Sequence, residues 1–223
     1  MAGKGIDLLI KNDVKVEVGL CQELVKEQNK FFFFKHEKMK PYIAVKIASS
    51  LDGKSHNKDG RSTWITCAES REDVQNVRAL YDAILTGGNT VIDDNPRMNA
   101  RVNFEVNQPK KILLSKKNNF DMASNFFKNA EVTIIKETNI AKVINSIYEL
   151  DHCSVLVEAG PRLVNAFLKT GLVDELIEYK SSEPLGKNGI NWFSKNTTIE
   201  NLGFKLESTC KIKSDVKNIY KKC

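Results

Sequence analysis

The stretch SVLVEAGPRLVNAFLKTGLVDELIEYK, residues 154–180, decides the fold class. Ser154 to Val157 is a short apolar run bounded by a turn signal, the pattern of a buried strand. Gly160 ends that run. Pro161 suits the first position of a helix, where its fixed φ fits and its missing N–H has no partner to lose. RLVNAFLKTG carries the helix, and DELIEYKSS (174–182) returns as a second strand. A helix between two strands makes them parallel neighbours in one sheet.

The same alternation extends outward in both directions. PYIAVKIASS (41–50) is a strong strand, followed by a loop rich in Gly, Lys and Asn from Leu51 to Gly60. Thr66 and Glu69 are spaced as a capping box that opens the helix SREDVQNVRALY (70–81). DAILTG (82–87) is a short buried strand ending at Gly87 and Gly88. KKILLS (110–115) and EVTIIK (131–136) are strands with an irregular stretch between them, and Ile140 to Leu150 is a helix. In the tail, FKLESTCKIK and VKNIYKK are two β-prone runs joined at Ser214-Asp215, which predicts a hairpin. The expected architecture is α/β: a mostly parallel central sheet, helices on both faces, and an antiparallel C-terminal hairpin.

Residues 1–40 read as a separate piece ahead of a domain over 41–223. Ile6, Leu9 and Ile10 share a helical face, VKVEV (14–18) alternates like a half-buried strand, and LCQELVKEQNKFFFF returns to helical spacing. So small a piece cannot build its own core. Phe31 to Phe34 must pack either on the following domain or on a partner. HEKMKP (36–41) reads as a charged linker.

With 223 residues, 41% hydrophobic and 28% charged, the chain has material for a sizeable core, which excludes disordered and low-complexity classes. No run approaches the ~18 apolar residues of a membrane span. The first residues reach Asp7 and Asp13 before a signal-peptide core could form. A soluble, cytoplasmic protein without a membrane partner is expected. The five cysteines form no CxxC pair, and His36, His56 and His152 are scattered, so no metal site is expected. The net charge is +6, with six lysines against Glu207 and Asp215 from Lys205 onward. Such lysines protect a sheet edge. With only Tyr220 interleaved they do not make a nucleic-acid surface, and the positive balance suits small phosphorylated ligands.

Ligands in open α/β sheets bind beyond the carboxyl ends of the strands, and four constellations fall there. Glu158 and Gly160-Pro161 stand at a strand-to-helix junction, where free N–H groups attract anions; an ordinary tight turn explains the spacing equally well. Gly87-Gly88 leaves backbone bare, with Asp94 and Arg101 following on a turn-rich loop. Arg101 is suited to clamp a phosphate through its planar fork. Arg78 lies at the buried edge of its helix and needs a carboxylate or an anionic ligand, the ligand being favoured. Lys46 interrupts an apolar strand, where it pairs with a carboxylate or reaches a ligand. Trp64 reads as core by burial tendency.

KIASSLDGK, STWIT, DAILTGGNTVIDDNPRMNAR and LVEAGPRLVNAFLKTGLVDELIEY occur in an order that resembles the reductase part of the bifunctional riboflavin-biosynthesis deaminase/reductase family. The resemblance implies a dihydrofolate-reductase-like fold, NADPH as cofactor, and a phosphorylated pyrimidine as substrate. The implied reaction reduces 5-amino-6-(5-phosphoribosylamino)uracil to its ribitylamino form by hydride transfer to C1′ of the ring-opened sugar. By motif position, Lys46 and Glu158 orient the substrate at the transfer point. Ser62, Arg78, Met98 (through its backbone) and Arg101 hold it, the arginines on its phosphate. Ala48, Trp64, Thr90, Asp94, Ser115, Gly160, Pro161, Arg162, Leu163, Val164, Asn165 and Ala166 contact NADPH.

The zinc-deaminase motifs of the family's full-length members are not in this sequence, so deaminase activity is not expected. Residues 1–40 resemble the last piece of that domain, making a separate or missing deaminase domain an expected partner. A homodimer is common in the resembled family. Two other readings stay open: a reductase of another small molecule on the same fold, and a non-catalytic cofactor-binding or interaction remnant.

Overall fold

Three short helices lead the chain: α1 (Lys4–Lys11), α2 (Gln22–Gln28) and α3 (Lys30–Lys38). Strand β1 (Tyr42–Ser49) and the short β2 (Lys54–Asn57) precede α4 (Ala68–Arg78), β3 (Ala83–Gly87) and α5 (Gly88–Asp94). Then come β4 (Lys110–Leu114), β5 (Val132–Ile135), α6 (Ile140–Glu149), β6 (Ser154–Glu158) and α7 (Pro161–Leu168). The chain ends with β7 (Glu175–Lys180), β8 (Gly189–Asn191), β9 (Phe204–Ile212) and β10 (Asp215–Lys222). This computed structural model describes residues 3–57, 64–193 and 198–223.

Eight strands form one sheet in the order β5-β4-β3-β6-β1-β7-β10-β9. The first six are parallel, and the terminal hairpin adds β10 and β9 antiparallel to β7. The expected α/β architecture is therefore present. Strands β2 and β8 make a separate antiparallel ribbon that the Leu51–Gly60 loop reading misses.

The central strands are apolar without alternation because helices cover both faces. On one face Ile43, Val45, Leu85 and Val157 meet Ile144 of α6 and Val164 and Phe167 of α7. On the other, Ala44, Ile84 and Leu156 meet Val74 and Val77 of α4, Val91 of α5, and Phe126. This second face carries the charged groups described below.

Several local expectations give way to tertiary contacts. The helix after Thr66 starts at N-cap Cys67 without a side-chain capping bond from its own turn. Asp215 of the terminal hairpin takes over, accepting from the Cys67 N–H and the Ser70 hydroxyl, each at 2.7 Å, while Glu69 pairs with Lys213. The stretch expected as a loop through Asp94 is helix α5, anchored by buried Gly88 and Val91. VKVEV is not a strand: it finds no sheet edge, and Val14 and Val18 are exposed. Half of the expected linker at 36–41 is helix, since α3 runs to Lys38, and Lys35 is buried beside Asp151. Trp64 is not core; it is 77% exposed, with the Arg71 guanidinium 4.5 Å from its ring.

The phenylalanines find their partner within the chain. Phe31 and Phe34 pack against Tyr42, with ring centroids 5.1 and 5.0 Å apart, and Phe31 also meets Tyr81 at 5.2 Å. Phe32 stays exposed. Among the described residues, no helix is long and apolar enough to cross a membrane.

Candidate active site

Strands β1 and β6 are parallel neighbours whose register sets Lys46 opposite Glu158. Paired residues of adjacent strands project to the same face, here toward α4. The last residue of α4, Arg78, completes the group. Its Nε donates to Glu158 Oε1 at 2.6 Å and its Nη2 to Oε2 at 3.0 Å, while Lys46 Nζ lies 3.5 Å from Oε2. Only 6% of Glu158 is exposed. Burial alone pushes its carboxyl up, but Arg78 and then Lys46 overcome that and hold it down at about 2. Burial likewise opposes the charge on Arg78, and Glu158 more than restores it, leaving the guanidinium above its usual range.

Of the two partners expected for Arg78, a carboxylate or an anionic ligand, the structure shows the carboxylate, Glu158. Arg78 Nη1 also donates to the Asn99 carbonyl at 3.3 Å and lies 3.5 Å from Gln75 Oε1. The fork is fully engaged, because a buried guanidinium left with free donors is costly.

The loop after α5 turns through two non-glycine residues in the left-handed region, Asn95 (φ 41°) and Met98 (φ 47°). Met98 is buried, with its sulfur 3.8 Å from Arg78 Nη2. Arg101 is exposed: its Nη1 donates to Asn99 Oδ1 at 2.8 Å, and its backbone N–H donates to Gln75 Oε1 at 3.4 Å. Asn99 and Gln75 thus tie Arg101 to Arg78 and through it to Glu158.

Across the same cleft lie the bare backbones. A Cβ on Gly88 would stand 2.5 Å from Ser115 Oγ and 3.2 Å from Phe120, so only glycine fits where α5 leaves β3. At Gly160 the opposite holds: a Cβ would meet nothing within 4 Å and would project into open cleft. Helix α7 begins there with Pro161 and no side-chain cap. A first turn without a cap keeps N–H donors available for an anion. The pairing of an open glycine with an uncapped helix start fits the phosphate of a nucleotide cofactor.

The cleft measures about 1900 Å³ and gathers nearly every expected residue. Lys46, Arg78, Met98, Arg101 and Glu158 line it, as do Ala48, Trp64, Thr90, Asp94 and Ser115. Gly160, Pro161, Arg162, Leu163, Val164 and Ala166 line it too. Asn165 does not. Its amide donates to the carbonyls of Pro161 (2.7 Å) and Trp192 (2.6 Å), so it fastens α7 to the segment after β8. Ser62 lies outside the described residues.

Sequence reading missed further residues of the site. Gln75 and Asn99, which align the arginines, carry no signal beyond spacing. Tyr179 lines the cleft with its ring 6.0 Å from Lys46 Nζ, and its hydroxyl donates to Asp73 Oδ2 at 2.6 Å. His56, Ile190 and Trp192 arrive from the β2–β8 ribbon and the turn after it, whose pairing over long sequence distance no local pattern announces.

Comparison with known proteins places this geometry. The riboflavin biosynthesis protein RibD of Aquifex aeolicus is 32% identical over 210 residues, covering 84% of this chain and 59% of that protein. The chain thus spans little more than half the length of that relative. The solved structure of Acinetobacter baumannii RibD matches with a TM-score of 0.89 at 29% identity, over 99% of this chain and 69% of that one.

A Thermotoga maritima structure matches at 0.83 and 28% identity, over 99% and 68%. That protein is a diaminohydroxyphosphoribosylaminopyrimidine deaminase/5-amino-6-(5-phosphoribosylamino)uracil reductase. An Enterococcus faecalis dihydrofolate reductase, 12% identical with a TM-score of 0.53, shares the fold alone. The family model of the RibD C-terminal domain matches residues 41–218, most of the sheet and the whole of the described cleft, and the chain belongs to that family.

Proposed function

We propose that this chain reduces 5-amino-6-(5-phosphoribosylamino)uracil to 5-amino-6-(5-phosphoribitylamino)uracil with NADPH. The single observation that carries the reading is the Lys46–Glu158–Arg78 group, buried at the strand ends and open to one cleft with the bare turn at Gly160. When bound, NADPH supplies the hydride that goes to C1′ of the ring-opened sugar, with a proton going to the attached nitrogen.

In this reading the residues of the chain position and polarise. Glu158 stays ionised and accepts from the sugar hydroxyls, held in place by the Arg78 fork. Lys46, its Nζ 3.5 Å from that carboxylate, holds the proton that the imine nitrogen requires. Arg101, Met98 through its backbone, and Ser62 hold the rest of the substrate. The cofactor side comprises Gly160 to Val164 with Ala166, together with Ala48, Trp64, Thr90, Asp94 and Ser115. Holding both reactants in contact lowers the barrier by roughly 7–11 kcal/mol, without need of a nucleophile.

An assay of NADPH oxidation with the pyrimidine substrate tests the proposal. Lys46→Met should lower kcat by about 10²-fold while NADPH still binds by fluorescence titration. No oxidation by the unaltered chain would overturn it.

We infer further that residues 1–40 close a deaminase portion and that α1 and α2 seat it. Leu8 of α1, Leu24 of α2 and Leu20 just before α2 expose 61–79% of their surface. The reading takes the protein as cytoplasmic and as a homodimer. Sedimentation with a RibD deaminase portion should show a complex that Leu20→Asp with Leu24→Asp abolishes.

A further inference from the structure

Trp64 and Trp192, the two tryptophans of the chain, line the same cleft but are held in opposite ways. Trp192 is 5% exposed and belongs to the core, whereas Trp64 is 77% exposed. A side chain with so large an apolar body is ordinarily held by burial. Trp64 forgoes that burial and is held by a cation instead. The Arg71 guanidinium lies over its ring, 4.5 Å from the centroid, at cation–π distance.

Local geometry explains how the pair forms. Arg71 is the fourth residue of α4, whose N-cap is Cys67. Its Nη1 turns back and donates to the Thr66 carbonyl at 2.5 Å. Thr66 immediately precedes the cap, and a contact between that position and the fourth helical residue fixes the angle at which a chain enters its helix. Here the tie is polar rather than apolar. A guanidinium is planar and rigid, so bonding its edge to the carbonyl also sets the plane of its face. The helix beneath is anchored as well. Asp215 accepts from Cys67 and Ser70, and Asp73 accepts from Lys217 Nζ at 2.7 Å. Trp64 therefore stands on a fixed base, with one ring face against Arg71 and the rest of the indole open to the cleft. A held aromatic ring with a free face is the surface on which a flat heterocycle stacks.

We propose that Arg71 is a positioning residue: it backs the Trp64 indole and presents the open face to a planar ring of the nucleotide cofactor. The inference rests on the NADPH reading above and names the residue that turns Trp64 from a mobile side chain into a fixed surface. Arg71 lines the cleft too, so a direct charge contact with the cofactor is the competing outcome.

Fluorescence titration of the full chain with NADPH tests this through a double-mutant cycle. Trp64→Ala should weaken NADPH binding about tenfold, the loss of one stacked ring. Arg71→Ala should weaken it about fivefold. The double variant should bind no more weakly than Trp64→Ala, because Arg71 acts only through the indole. Arg71→Lys keeps the charge without the plane and should bind like Arg71→Ala. Emission anisotropy of Trp64, taken as the difference from Trp64→Phe, should fall in both Arg71 variants. Additive losses, or full recovery by lysine, overturn the proposal and make Arg71 a direct contact. NADPH binding or anisotropy that ignores Arg71 overturns it as well. The function is judged separately. Coupled losses of NADPH binding without turnover of the pyrimidine keep the proposal and reject the reaction, and additive losses with turnover do the reverse. An unaltered chain that binds no NADPH rejects both.

Discussion

Two buried carboxylates flank β1 two residues apart on the same face of the sheet, and the protein satisfies them in opposite ways. Glu158 stands opposite Lys46 on one side, and Glu175 opposite Ala44 on the other. They are 6% and 5% exposed, so burial does not distinguish them. Glu158 is met by two cations. Glu175 is met by two phenols: Tyr42 donates at 2.8 Å and Tyr81 at 3.1 Å. Both phenols are pushed well above their ordinary range, first by burial and then by Glu175, and stay protonated as donors.

The difference follows from what lies above each group. Phe31 and Phe34 pack on the two phenols that meet Glu175, and there neutral donors suffice to satisfy the buried carboxylate. Above Glu158 the cleft opens, and an incoming polar ligand must find charge already fixed in place. Cations held by a carboxylate give that preorganised field without moving when the ligand binds.

Removing Arg78 should break the comparison most sharply. Arg78→Ala leaves Glu158 buried with Lys46 alone, and breaking a buried pair costs about 3–5 kcal/mol, read as a lower urea midpoint. Among the described residues, Glu175 has no ion pair to lose. If Arg78→Ala unfolds no more easily than a surface change, the contrast between the two sites is wrong.

Acid sharpens it next. The Glu158 carboxyl falls from 4.5 to about 2 on folding, which corresponds to about 3 kcal/mol. A depressed carboxyl stabilises the fold above its unfolded value and loses that contribution as pH falls toward the folded one. The stability gap between the unaltered chain and Glu158→Gln should therefore shrink between about pH 4.5 and pH 2. A gap that stays constant over that window refutes the assignment.

The smallest effect belongs to the closed site. Glu175→Gln leaves an amide facing two phenols and should cost about 1–3 kcal/mol. Turnover per folded molecule should stay unchanged, because Glu175 is not among the residues that line the cleft. A lower kcat in that variant would merge the two sites into one.

How much of this was legible depends on the range of the forces involved. Strand β6 and helix α7 were readable because an apolar run, a glycine and an N1 proline act within a few residues. Arg78 and Lys46 could be singled out as charges in apolar contexts, but their partner could not be named. Thr66 and Glu69 show the failure clearly. Their spacing is that of a local cap, yet Asp215, about 150 positions away, supplies the carboxylate. The VKVEV alternation fails for the complementary reason, since a strand pattern without a neighbouring edge has nowhere to bond.

By itself, then, the sequence determined the α/β class, the parallel core and the set of residues that reach the strand ends, since periodicity and turn chemistry are local properties. Tertiary structure alone decided which charges meet. Arg78 could have faced a ligand until the β1–β6 register brought Glu158 beneath it, and Thr66 could have capped α4 until the terminal hairpin brought Asp215 to Cys67 and Ser70. Electrostatic pairing depends on distances between segments far apart in the chain, and only the folded sheet fixes those.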